Sequence, residues 1–210
     1  MAVRTVFFDI GETLVDEHRY WRDVAALAGV PEHSVWAALG VTIARGEDHT
    51  VLFEHLGVER PAEIDEVLVY RRDDFYPDAL ECLQALREAG YRVGLAGNQS
   101  AALEAWARSE QLPVDVIGSS AGWGVRKPDP AFFERLVREA GCEPHEVAYV
   151  GDRVDNDVVP AAAAGLVAVW LRRGPWGMLQ RGADQATLVV DTLAELPAAL
   201  AALGDGAVQR

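Results

Sequence analysis

Cysteine and long apolar stretches are scarce in this 210-residue sequence. The two cysteines, Cys82 and Cys142, stand alone without metal-ligand spacing, so we expect neither a disulfide nor a zinc site. No apolar run is long enough to cross a bilayer, and no basic segment followed by an apolar one opens the chain. We therefore expect a cytoplasmic protein without a membrane partner.

Positive charge is also scarce. The sequence has 33 acidic and 19 basic residues, and its formal net charge is −14. We expect no nucleic-acid partner, because such proteins need a basic face to displace counterions from phosphate. An anionic substrate would need a metal ion or a few well-placed cations to reverse the field locally. Eighteen cations are arginines and only one is a lysine, which predicts that Lys127 fills a position suited to a compact ammonium ion.

A short apolar strand that ends on a carboxylate stands near the start of the chain. Residues Val3 to Phe8 are rich in Val and Phe, which is typical of a strand in the middle of a parallel sheet. Asp9 follows this strand, and Gly11 lets the backbone turn away. Side chains at the carboxyl ends of parallel strands point into the ligand-binding crevice, so Asp9 is a candidate site residue. Its alternative role is to cap the strand exit.

Strands and helices alternate from Tyr76 to the end of the chain. The pattern predicts helices that begin at Pro77, near Ser100 and at Asp129-Pro130, and a terminal helix after Thr192. Strands are predicted at 92–96, 114–117, 147–150, 167–171 and 188–190, with a loop over 118–130. Such alternation predicts an α/β fold with a central parallel sheet and helices on both faces. Residues 16–76 show helical spacing instead, which predicts an all-helical insertion after the first strand and a core of residues 1–15 and 77–210.

Three strand ends place polar groups at one edge of this sheet. These groups are Asp9, the run Gly97-Asn98-Gln99-Ser100, and Asp152 with Asp155 and Asp157, with Lys127 arriving from a neighbouring loop. Carboxylates from two strand ends are the ligands that Mg²⁺ requires, with water and substrate oxygens completing its coordination. This combination favours phosphoryl transfer, in which Asp9 forms an aspartyl-phosphate and Lys127 holds negative oxygens. The alternative for residues 152–157 is an acidic turn that caps the next helix.

Four motifs in the same order carry a family resemblance. FFDIGETL, LAGN, VRKPDP and YVGDRVDNDVVPAAAAG extend from Thr5 to about Leu171, and together they resemble a haloacid dehalogenase superfamily hydrolase. The resemblance implies a Rossmann-like three-layer core and a helical cap, here residues 16–76, between the first two motifs.

The resemblance also implies a set of site residues. Mg²⁺ would be held by the Asp9 carboxylate, the carbonyl of Gly11 and the carboxylate of Asp152, with Asp157 assisting. The chemistry of the residues themselves makes Asp9 and Lys127 the candidate catalytic residues, and Gly97, Asn98 and Lys127 the candidates to bind the substrate phosphate.

Two positions depart from the phosphatase pattern. Gly11 stands where a second Asp would act as general acid and base, and losing such help typically costs a factor of ~10²–10⁴ in rate. Glu12 could act through a water, but a one-residue shift around a tight turn re-aims the side chain. Gly97 stands where Ser or Thr would bind a phosphoryl oxygen. The backbone N–H groups of Gly97 and Asn98 can still bind an anion, and Ser100 either offers a hydroxyl or begins the next helix.

These residues favour a Mg²⁺-dependent phosphatase of a small phosphorylated metabolite, with weakened acid–base catalysis. The main alternative is a catalytically degenerate protein that binds a phosphorylated ligand or a protein partner, since two functional positions have become glycine. A 2-haloacid dehalogenase ranks lower, because the fourth motif resembles a metal-binding one. Substrate identity would depend on the helical insertion and nearby loops, and the candidate lining residues are His18, Tyr20, Trp21, Arg22, Arg45 and Trp123.

Overall fold

A six-stranded parallel sheet forms the centre of the computed structural model, which describes residues 2–67 and 69–206. Its strands are β1 (Thr5–Phe8), β2 (Arg92–Gly97), β3 (Val116–Ser119), β4 (Val147–Gly151), β5 (Val167–Leu171) and β6 (Leu188–Val190). They lie in the order β3-β2-β1-β4-β5-β6, so β1 is central. Phe8 is in register with Leu95 on one side and with Val150 on the other. The carboxyl ends of β1, β2 and β4 therefore lie side by side.

Helices cover both faces of this sheet and fill the segment between β1 and β2. They are α1 (His18–Ala28), α2 (Glu32–Arg45), α3 (Leu52–Leu56), α4 (Ile64–Val67), α5 (Ala79–Glu88), α6 (Ala101–Ser109), α7 (Ser120–Trp123), α8 (Pro130–Ala140), α9 (Val159–Ala163), α10 (Gly174–Leu179) and α11 (Leu196–Gly206). Along β1, Val6 and Phe8 pack into one apolar cluster and Phe7 into the other. This alternation of side chains confirms the three-layer α/β prediction.

The residues between β1 and α5 form a third apolar cluster of their own. Trp21 of α1, Leu39 of α2 and Phe53 of α3 pack together, and Trp176 of α10 joins them from the core. Arg19 in α1 is paired with Asp74, which precedes β2 in the chain, through a 2.9 Å bond from Nε to Oδ1. The boundaries 16–76 stay a prediction, and Leu68 lies outside the described residues.

Several predicted boundaries differ from the structure by a few residues, and two of these differences lie at β3 and in the loop after it. The strand expected at 114–117 lies two residues later, because the Asp115 carboxylate accepts a bond from the Val93 N–H at 2.9 Å and β3 begins after it. The loop expected over 118–130 contains the end of β3 and the short helix α7. A side chain at Gly118 would overlap the Trp123 ring, so this glycine lets α7 fold back onto its own strand.

No single helix in residues 2–67 and 69–206 is long and apolar enough to cross a membrane. Only α1 and α2 taken together would be, and they are bent by 109°.

Candidate active site

A cavity of about 140 Å³ lies at the carboxyl edge of the sheet, and its lining includes the predicted site residues Asp9, Gly11, Asn98, Lys127 and Asp152 but not Gly97 or Asp157. Asp9 and Asp152 follow β1 and β4, and Asn98 follows β2. The Asp9 N–H donates to the Val150 carbonyl at 2.9 Å, so hydrogen bonding between the strands continues into the site. The structure therefore brings together the three strand ends that the sequence analysis placed at one edge.

Three buried carboxylates crowd one side of this cavity. Asp9, Asp152 and Asp157 each offer an oxygen atom, and these atoms all lie within 4.8 Å of one another. Burial, followed by the charges of Asp157 and Asp9, raises the pKa of Asp152 well above its usual range. Among the described residues, Asp152 Oδ2 has no hydrogen-bond partner, and Asp9 Oδ1 has only an ion pair, with Lys127. Oxygen donors in this state fit a hard divalent cation such as Mg²⁺.

Asp157 reaches this cluster from a π-helical turn. The turn covers Val154–Val158, and the N–H groups of Asp157 and Val158 both donate to the Arg153 carbonyl, at 2.9 and 3.1 Å. The Arg153 N–H in turn donates to Asp157 Oδ2 at 3.0 Å. These bonds hold the buried Asp157 carboxylate within its own turn. The alternative, an acidic turn that caps the next helix, would have placed this carboxylate in solvent.

Lys127 is buried between two of these carboxylates. Its Nζ lies 2.6 Å from Asp157 Oδ1 and 3.1 Å from Asp9 Oδ1. Burial lowers the pKa of Lys127, but the two carboxylates outweigh burial and the pKa is raised overall. For Asp157, burial dominates over the attraction of Lys127 and raises the pKa to about 6. The lysine therefore stays charged at neutral pH and holds both acids in place.

The side chain of Asn98 holds the backbone of Lys127. The Lys127 N–H donates to Asn98 Oδ1 at 2.8 Å, and Asn98 Nδ2 donates to the Lys127 carbonyl at 2.9 Å. This two-bond clamp joins the end of β2 to the loop after α7. Asn98 was predicted to bind substrate through its backbone N–H, which stays a prediction, and the clamp gives its side chain a second role.

Gly97 is required by the side chains around it. A Cβ atom there would overlap Asp9 Oδ1 and would lie 2.7 Å from both amide atoms of Gln99. Gln99 is buried, and its Oε1 has no hydrogen-bond partner within the described part of the chain. The side-chain amide thus occupies space beside Gly97 that a Ser or Thr would use. Ser100 caps α6 by accepting from the Leu103 N–H at 3.3 Å, which supports its helix-start alternative.

At Gly11, too, a side chain from elsewhere in the chain occupies the space that a side chain of this residue would use. A Cβ atom at this position would overlap Glu17 Oε1 and would lie 2.9 Å from Glu17 Cδ. The Tyr70 hydroxyl donates to Glu17 Oε1, and Trp21 Nε1 donates to Oε2 at 3.1 Å. Burial raises the pKa of Glu17 to about 7, the Tyr70 bond opposes this shift, and the Asp9 charge adds to it. Sequence reasoning missed Glu17, because no linear motif relates it to Gly11.

Glu12 lies next to this carboxyl group but has different partners. The Tyr76 hydroxyl donates to Glu12 Oε2 at 2.6 Å, and the Glu17 N–H donates to Oε1 at 3.3 Å. Glu12 has a φ of 51°, and its Oε2 lies 2.5 Å from where a Cβ at Gly174 would be. Burial and the Glu17 charge raise the pKa of Glu12 to about 8. The side chain is thus directed toward Tyr76 and Gly174.

The outer wall of the cavity combines aromatic and charged residues. Tyr20 and Trp21 line it as predicted, whereas the Trp123 ring packs on Phe132 with 5.1 Å between their centroids. Arg153 also lines it, with its guanidinium 4.9 Å from the Trp176 ring and bonded to Asp155 at 2.9 Å. Lining residues that the sequence analysis did not name include Glu17, Asp48, His49, Phe53, Arg60, Ile64, Asp65, Tyr70, Asn156 and Trp176. The described residues that surround the cavity do not include His18, Arg22 or Arg45.

Sequence comparison relates the chain to known phosphatases. The glyceraldehyde 3-phosphate phosphatase of Methanopyrus kandleri is 37% identical over 105 residues, which are 48% of this chain and 45% of the relative. The chain thus spans less than half the length of that relative. The enzyme of the same name from Methanothermobacter thermautotrophicus is 27% identical over 192 residues, which are 80% of this chain and 84% of the relative.

Structure comparison identifies the fold without separating the chemistries. Solved phosphatase and dehalogenase structures share it. The L-2-haloacid dehalogenase of Xanthobacter autotrophicus, for example, matches with a TM-score of 0.67 and 19% identity, over 93% of this chain and 97% of that one. The family model of the haloacid dehalogenase-like hydrolases matches residues 3–165. The chain therefore belongs to the haloacid dehalogenase-like hydrolases.

Proposed function

We propose that this hydrolase is a Mg²⁺-dependent phosphatase that acts on a small phosphorylated metabolite through an aspartyl-phosphate at Asp9. One observation carries the proposal: the Asp9 carboxylate ends the central strand beside both a buried ammonium group and two further buried carboxylates. A nucleophile, a cation for phosphoryl oxygens and a cluster of oxygen donors thus face one cavity. The names of the relatives support a phosphatase.

The chain's own residues have separate tasks in this proposal. Asp9, the Gly11 carbonyl, Asp152 and Asp157 would hold Mg²⁺, which neutralises negative phosphoryl oxygens when it is bound. Asp9 attacks phosphorus, and the substrate oxygen takes up a proton and leaves as an alcohol. Water then attacks the phosphoryl group, gives up a proton, releases phosphate and restores the Asp9 carboxylate. Lys127 pairs with Asp9 and attracts the phosphoryl group, while Asn98 fixes the lysine backbone.

The size of the cavity favours a small substrate. Its volume is about 140 Å³, and Tyr20, Trp21 and Trp176 line it together with the strand ends of the sheet. A short carbon chain with one phosphate suits this space better than a nucleotide or a peptide. The M. kandleri and M. thermautotrophicus relatives are named for such a molecule, glyceraldehyde 3-phosphate.

The test is hydrolysis of p-nitrophenyl phosphate by the wild-type protein with Mg²⁺, by the same protein with EDTA, and by Asp9→Asn. We expect turnover only in the first sample. The matched control is Asp129→Asn, an exposed N-cap of α8 that bonds the Ala131 N–H at 2.9 Å, because Asn caps helices as well as Asp does. The control should retain wild-type turnover.

Other outcomes decide between the alternatives. A folded wild-type protein that binds Mg²⁺ but turns over no faster than Asp9→Asn would overturn the proposal and favour a ligand-binding role. Halide release from 2-chloropropionate in EDTA would favour a dehalogenase instead.

A further inference from the structure

We propose that Glu17 supplies the acid–base carboxyl group that residue 11 lacks. This inference rests on the proposed phosphatase function and assigns a catalytic residue to it. Gly11 has no side chain, but the space that a side chain at residue 11 would occupy contains a carboxyl group. A Cβ atom at Gly11 would overlap Glu17 Oε1 and lie 2.9 Å from Glu17 Cδ. Glu17 reaches this space from the residue before α1.

Two donors fix the orientation of this carboxyl group. The Tyr70 hydroxyl bonds Oε1, and the Trp21 indole bonds Oε2 at 3.1 Å. The Tyr70 ring is in turn packed edge-on against Trp106, with 5.4 Å between the centroids. Glu17 and Asp9 line the same cavity. A carboxyl group that two side chains hold in the cavity of the nucleophile has the fixed orientation that acid–base catalysis requires.

Glu12 is the competing carboxyl group, and its contacts argue for a supporting role. Its Oε2 accepts from Tyr76 at 2.6 Å and lies against Gly174, and its Oε1 accepts from the Glu17 N–H at 3.3 Å. Glu12 therefore helps to position the backbone of Glu17 through this hydrogen bond. Glu17 is the carboxyl group that takes the place of a side chain at residue 11.

The proton balance of the reaction is complete with this assignment. As Asp9 attacks phosphorus and the bond to the leaving oxygen breaks, the Glu17 carboxylic acid gives its proton to that oxygen, which departs as an alcohol. Water then attacks phosphorus, and the Glu17 carboxylate takes the water proton. The bond between phosphorus and Asp9 breaks, and inorganic phosphate leaves with both carboxyl groups restored.

The first test compares two esters, because an acid matters most when the leaving group is poor. We expect Glu17→Gln to lower kcat/KM for phenyl phosphate by a factor of ~10²–10⁴ and to lower it much less for p-nitrophenyl phosphate. Glu32→Gln is the matched control. Glu32 accepts from Trp36 Nε1 at 3.3 Å across the same four-residue spacing, at a helix start outside the cavity lining. It should leave both values and their ratio unchanged.

The second test moves the carboxyl group from residue 17 to residue 11. Glu17→Ala empties the space beside Gly11, so Gly11→Asp combined with Glu17→Ala should recover phenyl phosphate hydrolysis at least tenfold over Glu17→Ala alone. Gly11→Asp in the wild-type background should be poorly active, because its Cβ would overlap the Glu17 carboxyl group. Thermal melting with and without Mg²⁺ checks that each variant folds and still responds to the metal.

The possible failures are distinct. Equal losses on both esters in Glu17→Gln, together with no recovery in a folded double variant, would overturn the assignment while leaving the phosphatase proposal intact. A wild-type protein without Asp9-dependent turnover would overturn both.

Discussion

The side chains on the two sides of the cavity are held in place by different kinds of contact. On the Lys127 side, the ammonium group meets two carboxylates, and Asn98 clamps its backbone with two bonds. On the Gly11 side, space is left open and Glu17 fills it, bonded to Tyr70 from 53 residues away. The residues of the first arrangement all belong to short sequence motifs at strand ends and in the loop beside them. The second depends on contacts between parts of the chain that no motif connects.

The largest effect should follow from Lys127→Met, which breaks the first arrangement. Asp157 would keep its burial but lose the lysine that opposes the rise of its pKa. We expect the free energy of unfolding in EDTA to fall by about 3–5 kcal/mol, as for other buried ion pairs that lose one partner. Phosphatase turnover should fall to the level of Asp9→Asn. Urea unfolding and p-nitrophenyl phosphate hydrolysis measure the two effects.

The neighbouring cation provides the control for this variant. The Arg126 side chain is 58% exposed and pairs with Asp48 at 3.4 Å, so Arg126→Met should change the free energy of unfolding by no more than about 0.5 kcal/mol. Similar losses in both variants would mean that Lys127 acts through general charge balance and not through its buried contacts.

This contrast also explains which features the sequence could predict. The buried strands were readable from apolar runs such as Val147 to Val150, and their ends had to meet because parallel strands share one edge. Asp9, Lys127, Asp152 and Asp157 were therefore placed together correctly. The place of Glu17 in the site could not be predicted, because it depends on how α1 and the chain around Tyr70 pack beside the end of β1. Gln99 was visible only as one member of a polar strand end, and its fit beside Gly97 required coordinates.

A smaller effect should follow from Tyr70→Phe, which loosens the second arrangement. The variant removes the hydroxyl that holds Glu17 Oε1. One hydrogen bond to a charged or partly charged group contributes about 1.5 kcal/mol, so we expect kcat/KM for phenyl phosphate to fall roughly tenfold. The value for p-nitrophenyl phosphate should fall less. Steady-state kinetics on both esters measures the difference.

Tyr76→Phe is the matched comparison, because it removes the same kind of bond from Glu12. It should cost about 1 kcal/mol of stability without changing the preference between the two esters. If Tyr76→Phe changes that preference and Tyr70→Phe does not, the acid–base role belongs to Glu12.

The smallest effect on turnover should follow from breaking the ion pair that joins α1, and with it Glu17, to the chain before α5. Asp74 is bonded by Arg19 Nε at 2.9 Å and by the Arg71 N–H at 2.6 Å. Burial alone would raise the pKa of Asp74, but these bonds outweigh it and the pKa is lowered. We expect Asp74→Asn to lower the free energy of unfolding at pH 7 by about 1–2 kcal/mol, near the lower end of the range for hydrogen bonds to charged groups.

The pH dependence of this loss has a definite sign. A carboxyl group whose pKa is lowered by folding stabilises the protein above its unfolded pKa of about 3.9, and this contribution disappears as the pH falls through the lower folded value. The difference between wild type and Asp74→Asn should therefore be constant from pH 7 to about pH 5 and shrink below about pH 4, whereas the exposed neighbour Asp73→Asn should show little difference at pH 7. A difference that grows on acidification would contradict the ion pair. Because this pair holds α1, which directly follows Glu17, Asp74→Asn should change the preference between the two esters and leave the contacts of Lys127 intact.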